Sequence, residues 1–335
     1  MGWPKAFRGD TDHDSVSWDS QIATWRPRQG RVHRAPETLA EARRDKRPVS
    51  CTVTIVVLSA GGSPFLHRVL CAILGNRPAP GAVRLIWSGH GPVPPAVPSA
   101  VQTTAIQPTD FDHGGTRQLA LELCTTELLA FLSDDAEPVG NAWLKTLIAP
   151  FTDTGMAAVY GRQIPRPDAH VAERVFRASR YPAGSRLITP ESVATESEIA
   201  LPISNANGAY RVAALRSLGG FPRPCSYGED LAVALAALNQ GWRVRYVAEA
   251  EVWHSHHLSG VDLFRRGRRA GWLALDAKQQ GVTTGLRGSA SGGSRLVWKM
   301  IRTGWREYGF NGAVAVLWAS AVRALGYLSA RIGWR

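Results

Sequence analysis

Cysteine is scarce in this chain: four residues, Cys51, Cys71, Cys124 and Cys225, lie far apart among 335. No paired spacing exists, which argues against a disulfide framework and a zinc cluster, so a reducing, cytoplasmic compartment is expected. Long apolar runs are also missing. No stretch of 18 or more apolar residues occurs, and the first 25 residues carry Asp10, Asp12, Asp14 and Asp19 in place of an apolar signal core. Neither a membrane-spanning helix nor an export signal is therefore expected. Residues 1–50 lack any sustained hydrophobic period and read as an extension outside the folded body. No internal repeat is visible. Acidic side chains become scarce only towards the carboxyl end: the formal charge is +3 for residues 1–50, −1 for 51–260 and +10 for 261–335. That final basic excess suits nucleic acid or an anionic membrane surface, or simply a solvated helix.

What is present, at 44% apolar residues, suffices for a globular core. From Val53 the β-branched run VTIVVL predicts a buried strand, and AGGSP after it supplies turn residues. Phe65, Leu66, Val69, Leu70, Ile73 and Leu74 recur at helical spacing, and AVRLIW at 82–87 closes a β-α-β unit. A strand near 101–106, a helix over 116–125, the strand LLAFL at 128–132, a helix bearing Trp143, Leu144, Leu147, Ile148 and Phe151, and the strand MAAVYG at 156–161 continue the alternation. It predicts an α/β fold with a mostly parallel, doubly wound sheet. Residues 162–203, rich in Arg, Pro and Ser, read as a long irregular loop walling a binding site.

In open α/β sheets ligands bind beyond the carboxyl ends of the strands, which directs attention to Ser133, Asp134 and Asp135 after LLAFL. Adjacent carboxylates at the end of a buried strand repel each other, and a hard divalent ion offsets that repulsion. A turn or helix cap uses the same residue types, so this reading stays open. A second pair, Glu229 and Asp230, opens a helix with Leu231, Leu235 and Leu238 on its apolar side, where negative charge is favourable in any case. Beyond the strand RVRYV at 243–247, EVWHSHH places His254 and His256 two apart, on one side of an extended segment. Imidazoles near carboxylates can complete a metal shell, and manganese accepts nitrogen more readily than magnesium.

Taken in order, VTIVVL at 53, FDHGGTRQLAL at 111, FLSDDAEP at 131, WL at 143, YGRQIPRP at 160, ISNANGAYR at 203, GGFP at 219, YGEDLAVAL at 227 and AEVWHSHH at 250 resemble the family 2 glycosyltransferases of the GT-A fold. The runs at 111–117 and 160–163 resemble the bacterial rhamnosyltransferase-like branch. The resemblance covers residues 51–260 as a GT-A catalytic domain and leaves 261–335 as a basic, amphipathic helical extension. It implies an inverting transfer of a sugar, rhamnose by the branch, from a nucleotide diphosphate donor such as dTDP-rhamnose to a hydroxyl of a glycan or lipid-linked acceptor. It further implies Asp230 as catalytic base with Glu229 beside it, Mg2+ or Mn2+ held by Asp135, Asp134 and His254, and donor contacts from Arg117, Asp134 and Asp135. Asn205 and Arg162 fall on the acceptor side. Leu58, Ser59 and Ala60 stand where the family has a proline and a polar residue, so Ser59 is the donor-side candidate there. Trp87, Ser88 and Gly89 replace the usual nucleobase-binding aspartate, and Trp87 offers an aromatic face for stacking.

Rival readings are a metal-dependent nucleotidyltransferase, against which AGGSP lacks the lysine of a phosphate-cradling loop, and a catalytically inactive glycan-binding protein. Nucleic-acid binding by the basic tail is a third reading, ranked below attachment to the inner face of the cell membrane. Val314, Leu317, Trp318, Ala321, Val322, Leu325, Leu328 and Ile332 form one helical stripe suited to lying on a membrane surface or to docking on the body. Arg265, Arg266, Arg268 and Arg269 add charge upstream, worth about 1 kcal/mol each close to anionic lipid.

Overall fold

The computed structural model describes residues 52–195, 203–225, 227–279 and 290–332. The expected extension over residues 1–50 lies outside them. Nine strands form one sheet in the order β3-β2-β1-β4-β8-β6-β9-β5, with β7 paired to β9. Their ranges are β1 Val53–Ser59, β2 Ala82–Trp87, β3 Gln102–Ala105, β4 Leu128–Ser133, β5 Glu137–Pro138, β6 Met156–Ile164, β7 Arg186–Ile188, β8 Asn207–Arg211 and β9 Arg243–Trp253. The helices are α1 Leu66–Leu74, α2 His113–Glu122, α3 Trp143–Ile148, α4 Val171–Arg180, α5 Pro190–Thr195, α6 Val212–Leu218, α7 Glu229–Asn239, α8 Gly260–Gln279 and α9 Ala290–Arg331.

The long ladders β1/β2, β1/β4 and β6/β9 are parallel, as the alternation of elements predicts. The short β5 and β7 run antiparallel to β9, and inside the sheet β8 reverses, antiparallel to both β4 and β6. Because of that reversal, the start of β8 meets the carboxyl end of β4, where Leu132 pairs with Asn207. Successive β1 side chains enter opposite cores. Ile55 and Val57 pack with Val69, Leu70 and Ile73 of α1 and Trp143 of α3, whereas Val56 joins the cluster holding Leu121, Leu215 and Val233. Burying each such aliphatic side chain contributes about 1.5–3 kcal/mol, which is why an unbroken apolar run serves as a central strand covered on both faces.

Residues 162–203 depart from the expected irregular loop. β6 runs on to Ile164, and α4 follows, burying Glu173, Val175 and Arg177. Charged residues on the buried side of α4 conceal its period from a hydrophobicity reading. The β6/β9 register shifts between Gly161 and Arg162. There the buried Asn207 donates from Nδ2 to the carbonyls of Ala250 and Arg162 at 2.8 and 3.2 Å. A side chain on Gly161 would collide with that amide. The bulge and its amide patch set the direction in which Gln163 leaves the strand.

By length and composition alone, Ser294–Arg331 is long and apolar enough to cross a bilayer, although it holds no unbroken apolar run of 18 residues. A search for uninterrupted apolar runs overlooks it, since polar residues are scattered through it. The segment is not one rod. Gly309 is non-helical, with φ 66° and ψ −158°. A Cβ placed on Gly304 would lie 2.8 Å from the carbonyl oxygen of Gly312. Residues eight apart on a straight helix would be about 12 Å apart, so the chain folds back here into a helical hairpin.

Candidate active site

The carboxyl ends of β1, β2, β4 and β9 and the start of β8 share one edge of the sheet, and the candidate residues lie there. Asp135, just beyond β4, faces two imidazoles beyond β9. His254 Nε2 is 3.3 Å from its Oδ1 and His256 Nδ1 is 3.5 Å from its Oδ2. One ligand atom from each of the three residues lies within 4.8 Å of the others. Burial works to raise the Asp135 carboxyl, but His254 and then His256 outweigh it and hold the group below the ordinary carboxylate range. Burial lowers both imidazoles, His256 to about 2. An ionised carboxylate beside two neutral imidazoles is a set of lone-pair donors suited to a divalent cation.

The surroundings of His254 bear on that fit. Its Nδ1 lies 2.7 Å from Gln163 Oε1. The same oxygen accepts from Arg177 Nη1, and because arginine only donates, this atom is the amide oxygen. Nδ1 thus meets an acceptor in Gln163 Oε1 and a donor in Arg177 Nη1, 3.3 Å away, while Nε2 faces the Asp135 carboxylate. Nε2 is buried and has no hydrogen-bond partner. A carboxylate, a buried unpartnered ring nitrogen and a second imidazole gathered at one point fit Mg2+ or Mn2+, with the imidazoles favouring Mn2+. Gln163 stands in the YGRQ run but carries no metal-binding signal of its own. Replacing it with leucine is expected to weaken Mn2+ binding about 10–100-fold, read by titration calorimetry on the purified protein. Unchanged affinity would show that Gln163 does not position His254 for the metal.

Asp134 turns away from this trio. Its Oδ2 accepts from Ser59 Oγ at 2.6 Å, and Ser63 Oγ donates to its backbone carbonyl at 3.0 Å. Burial, and beyond that repulsion from Asp135, raise its carboxyl to about 6. The structure thus groups His256, not Asp134, with Asp135 and His254, since adjacent residues leaving a strand point in different directions. Arg166, unmarked in the sequence, secures the turn. It donates to the Asp135 carbonyl at 2.9 Å and to Glu137 Oε2 at 3.1 Å, with its guanidinium 3.8 Å from the Phe65 ring centroid.

The second acidic pair sits at the start of α7. Asp230 Oδ2 accepts from the Asn205 backbone N–H at 3.3 Å, and Oδ1 accepts from the Leu231 N–H at 2.8 Å. Burial, and then repulsion from Glu229, raise Asp230 to about 7. Glu229 stays ionised: burial opposes this, but Arg117 at 3.2 Å, His113 and a 2.9 Å bond from Asn205 Nδ2 outweigh it. FDHGG supplies the clamp beneath the pair. The Asp112 carboxylate accepts from the N–H groups of Gly115 and Cys225, and Gly114 lies so close to the Pro222 carbonyl that any side chain would collide with it.

Several expected donor and acceptor contacts are placed differently. Arg117 is buried, bound to Glu229 and to the His113 carbonyl, and so supports the acidic pair instead of reaching out as a donor contact. Trp87 is 5% exposed, its Nε1 donating to the Gly91 carbonyl at 3.1 Å and its ring covered by Gly61 and Gly89. No open stacking face remains, because the glycine turns fold onto the indole. Asn205 is buried between Glu229 and Tyr210 Oη. Arg162 bonds Glu251 at 2.8 Å and keeps about a quarter of its side chain exposed.

Residues 130–334, which hold both acidic pairs and both histidines, match the model of glycosyl transferase family group 2. The O-antigen chain rhamnosyltransferase RfbN of Salmonella typhimurium is 29% identical over 218 residues, 64% of this chain and 69% of that protein. WbaN of Salmonella anatum, also an O-antigen chain rhamnosyltransferase, is 32% identical over 162 residues, 48% of this chain and 51% of that protein. Among solved structures, the mannosyltransferase PcManGT of Pyrobaculum calidifontis, in complex with GDP-Man and Mn2+, superposes with a TM-score of 0.58 at 16% identity. It covers 88% of this chain and 94% of that one, a likeness of fold. Since the family model takes in more than half of the chain and RfbN and WbaN are both rhamnosyltransferases, this protein belongs to glycosyl transferase family group 2, in its rhamnosyltransferase-like branch.

Proposed function

We propose that the protein transfers rhamnose, with inversion, from a nucleoside diphosphate carrier, dTDP by the branch it resembles, to a hydroxyl of a glycan or lipid-linked acceptor. The observation that carries this reading is the pairing, along one sheet edge, of the Asp135, His254 and His256 trio with a carboxyl raised to about 7 at Asp230. A general base works best with its pKa near the operating pH. Asp230 takes the proton of the acceptor hydroxyl as its oxygen bonds to the anomeric carbon and the bond to the diphosphate breaks, the electron pair leaving with the diphosphate. Glu229 keeps Asp230 basic by repulsion, and Arg117 and Asn205 keep Glu229 in place. Mg2+ or Mn2+ held by Asp135, His254 and His256 would supply Lewis-acid neutralisation of the departing charge. Ser59 orients Asp134 beside it, and Arg162, with Glu251, stands on the acceptor side.

A thermal-shift panel of nucleotide sugars with Mn2+ tests the reading, since a ligand bound only to the native state raises its melting temperature. dTDP-rhamnose is expected to stabilise the protein and to be consumed with inversion when an acceptor is added. Stabilisation by a uridine or guanosine diphosphate hexose and not by dTDP-rhamnose would overturn the sugar. A product of retained configuration would overturn the mechanism.

A further inference from the structure

The C-terminal hairpin turns outward the very residues a soluble helix would hide. Phe310, Val314, Leu317, Trp318, Leu325 and Ile332 are all exposed, Phe310 to 68% and Ile332 to 74%. At 100° per residue they span one stripe about 100° wide. The first arm continues the surface with Trp298, 71% exposed, and Trp305, whose ring meets Phe310 edge-on at 6.3 Å across the turn. Exposed Arg295, Lys299, Arg302 and Arg306 recur three or four residues apart on the same arm, and Glu307 is the one acidic residue from 290 to 332. Interleaved tryptophan and basic side chains beside an aliphatic stripe match the chemistry of a lipid headgroup boundary.

The opposite face is committed to the protein. Met300 and Val316 pack with Val175 of α4, and the Arg323 guanidinium lies 4.1 Å from the Phe176 ring centroid. Gly267 of α8 and Gly326 let the two backbones touch, a Cβ on Gly326 being 2.9 Å from the Arg268 nitrogen. A hairpin held along its length by α4 and α8 cannot cross a bilayer without drawing in the buried charges of α4. The hairpin also walls a largely apolar cavity of about 630 Å³ that reaches from Trp318 to His256 of the metal trio. Arg265, Arg266 and Arg269 of α8 are exposed as well, and Arg266 lies near enough to His256 to help lower it.

We propose that this hairpin lies in the plane of an anionic lipid surface, its aliphatic stripe in the headgroup boundary and its first arm against the lipid charge. The proposal is independent of which sugar is transferred. Flotation of the full-length protein with phosphatidylcholine vesicles, with and without phosphatidylglycerol, at low and high salt, tests it. The protein is expected to float with anionic vesicles at low salt, several-fold less at high salt, and weakly with neutral ones. Leu317→Glu with Leu325→Glu, both at exposed positions, should cut flotation about tenfold or more. Arg302→Glu with Arg306→Glu should lower binding to anionic vesicles alone. Donor-induced thermal shift, measured on the same samples, should stay parental and so separates loss of docking from loss of the catalytic reading. Absence of flotation, or equal flotation by the Leu317→Glu, Leu325→Glu variant, would overturn the proposal. So would conversion of a dimer to a monomer by that variant with vesicle binding unchanged, which would make the stripe an interface between copies. Resistance of the protein to carbonate extraction from cell membranes would mean a spanning helix and would overturn it as well.

Discussion

Replacing Asp135 by alanine is expected to abolish Mn2+-dependent binding of the nucleotide-sugar donor, by at least about 100-fold in affinity, while the protein remains folded. The carboxylate is the only anionic member of the trio, and a ring nitrogen of each imidazole lies 3.3 or 3.5 Å from it. Without it, His254 and His256 offer the cation two neutral nitrogens and no charge to offset the cost of shedding water. The fold tolerates the loss because Asp135 lies beyond β4, and Arg166 holds the turn through the Asp135 carbonyl, not its side chain. Repulsion from Asp135 helps raise Asp134 to about 6, so the carboxyl of Asp134 should titrate lower in the variant. Calorimetric titration of donor with and without Mn2+ reads the effect. A variant that keeps parental metal-dependent affinity would move the site elsewhere.

The second large effect is expected at Asp230. Asp230→Asn should leave donor affinity nearly parental and lower kcat by about 10²–10⁴, the usual worth of a positioned base. In the parental enzyme, activity should rise through a transition near pH 7, because the base works only when ionised and its carboxyl is raised to about 7. Stability should run the other way. A carboxyl raised on folding binds its proton more tightly in the native state, so its contribution is full below the unfolded value near 3.8 and is lost as pH rises through about 7. Asparagine carries no such charge, so the variant should melt higher than the parent at pH 8 and close to it at pH 4. Parental turnover in the variant would remove Asp230 from the mechanism. Equal melting temperatures at pH 8 would mean that the ionised carboxylate is not held at a cost.

Much of the frame is legible in the chain. VTIVVL and LLAFL are apolar but for Thr54, whose hydroxyl bonds Thr126, because strands buried on both faces leave little room for polar groups, and the turns after them are marked by glycine, serine and aspartate. That alone places Asp135 at the binding edge of a doubly wound sheet. The stripe from Val314 to Ile332 is equally legible, because helical period survives in sequence whether the face meets protein or lipid. Which of the two it meets is a tertiary matter, decided by Val316, Met300 and Arg323 turning to α4 and leaving the stripe outside.

Side-chain direction is what the sequence withholds. Asp134 and Asp135 are adjacent in sequence, yet one bonds Ser59 and the other faces His254 and His256, since neighbouring residues leaving a strand diverge. Arg117 and Trp87 have the right chemistry for a donor site, but Glu229 claims the first and the glycine turn around Gly89 covers the second. Gln163 and Arg166 lie in the YGRQIPRP run, but nothing local marks what either one does. They act because the β6/β9 bulge and the α4 helix bring them beside residues about 90 and 30 positions away, His254 and Asp135. Local pattern fixes what an element is and which face is apolar, through periodicity and turn chemistry. Which polar groups meet depends on the reversal of β8, the bulge and the packing of α4, because hydrogen bonds and ion pairs act only at contact distance, and contact is made by the whole fold.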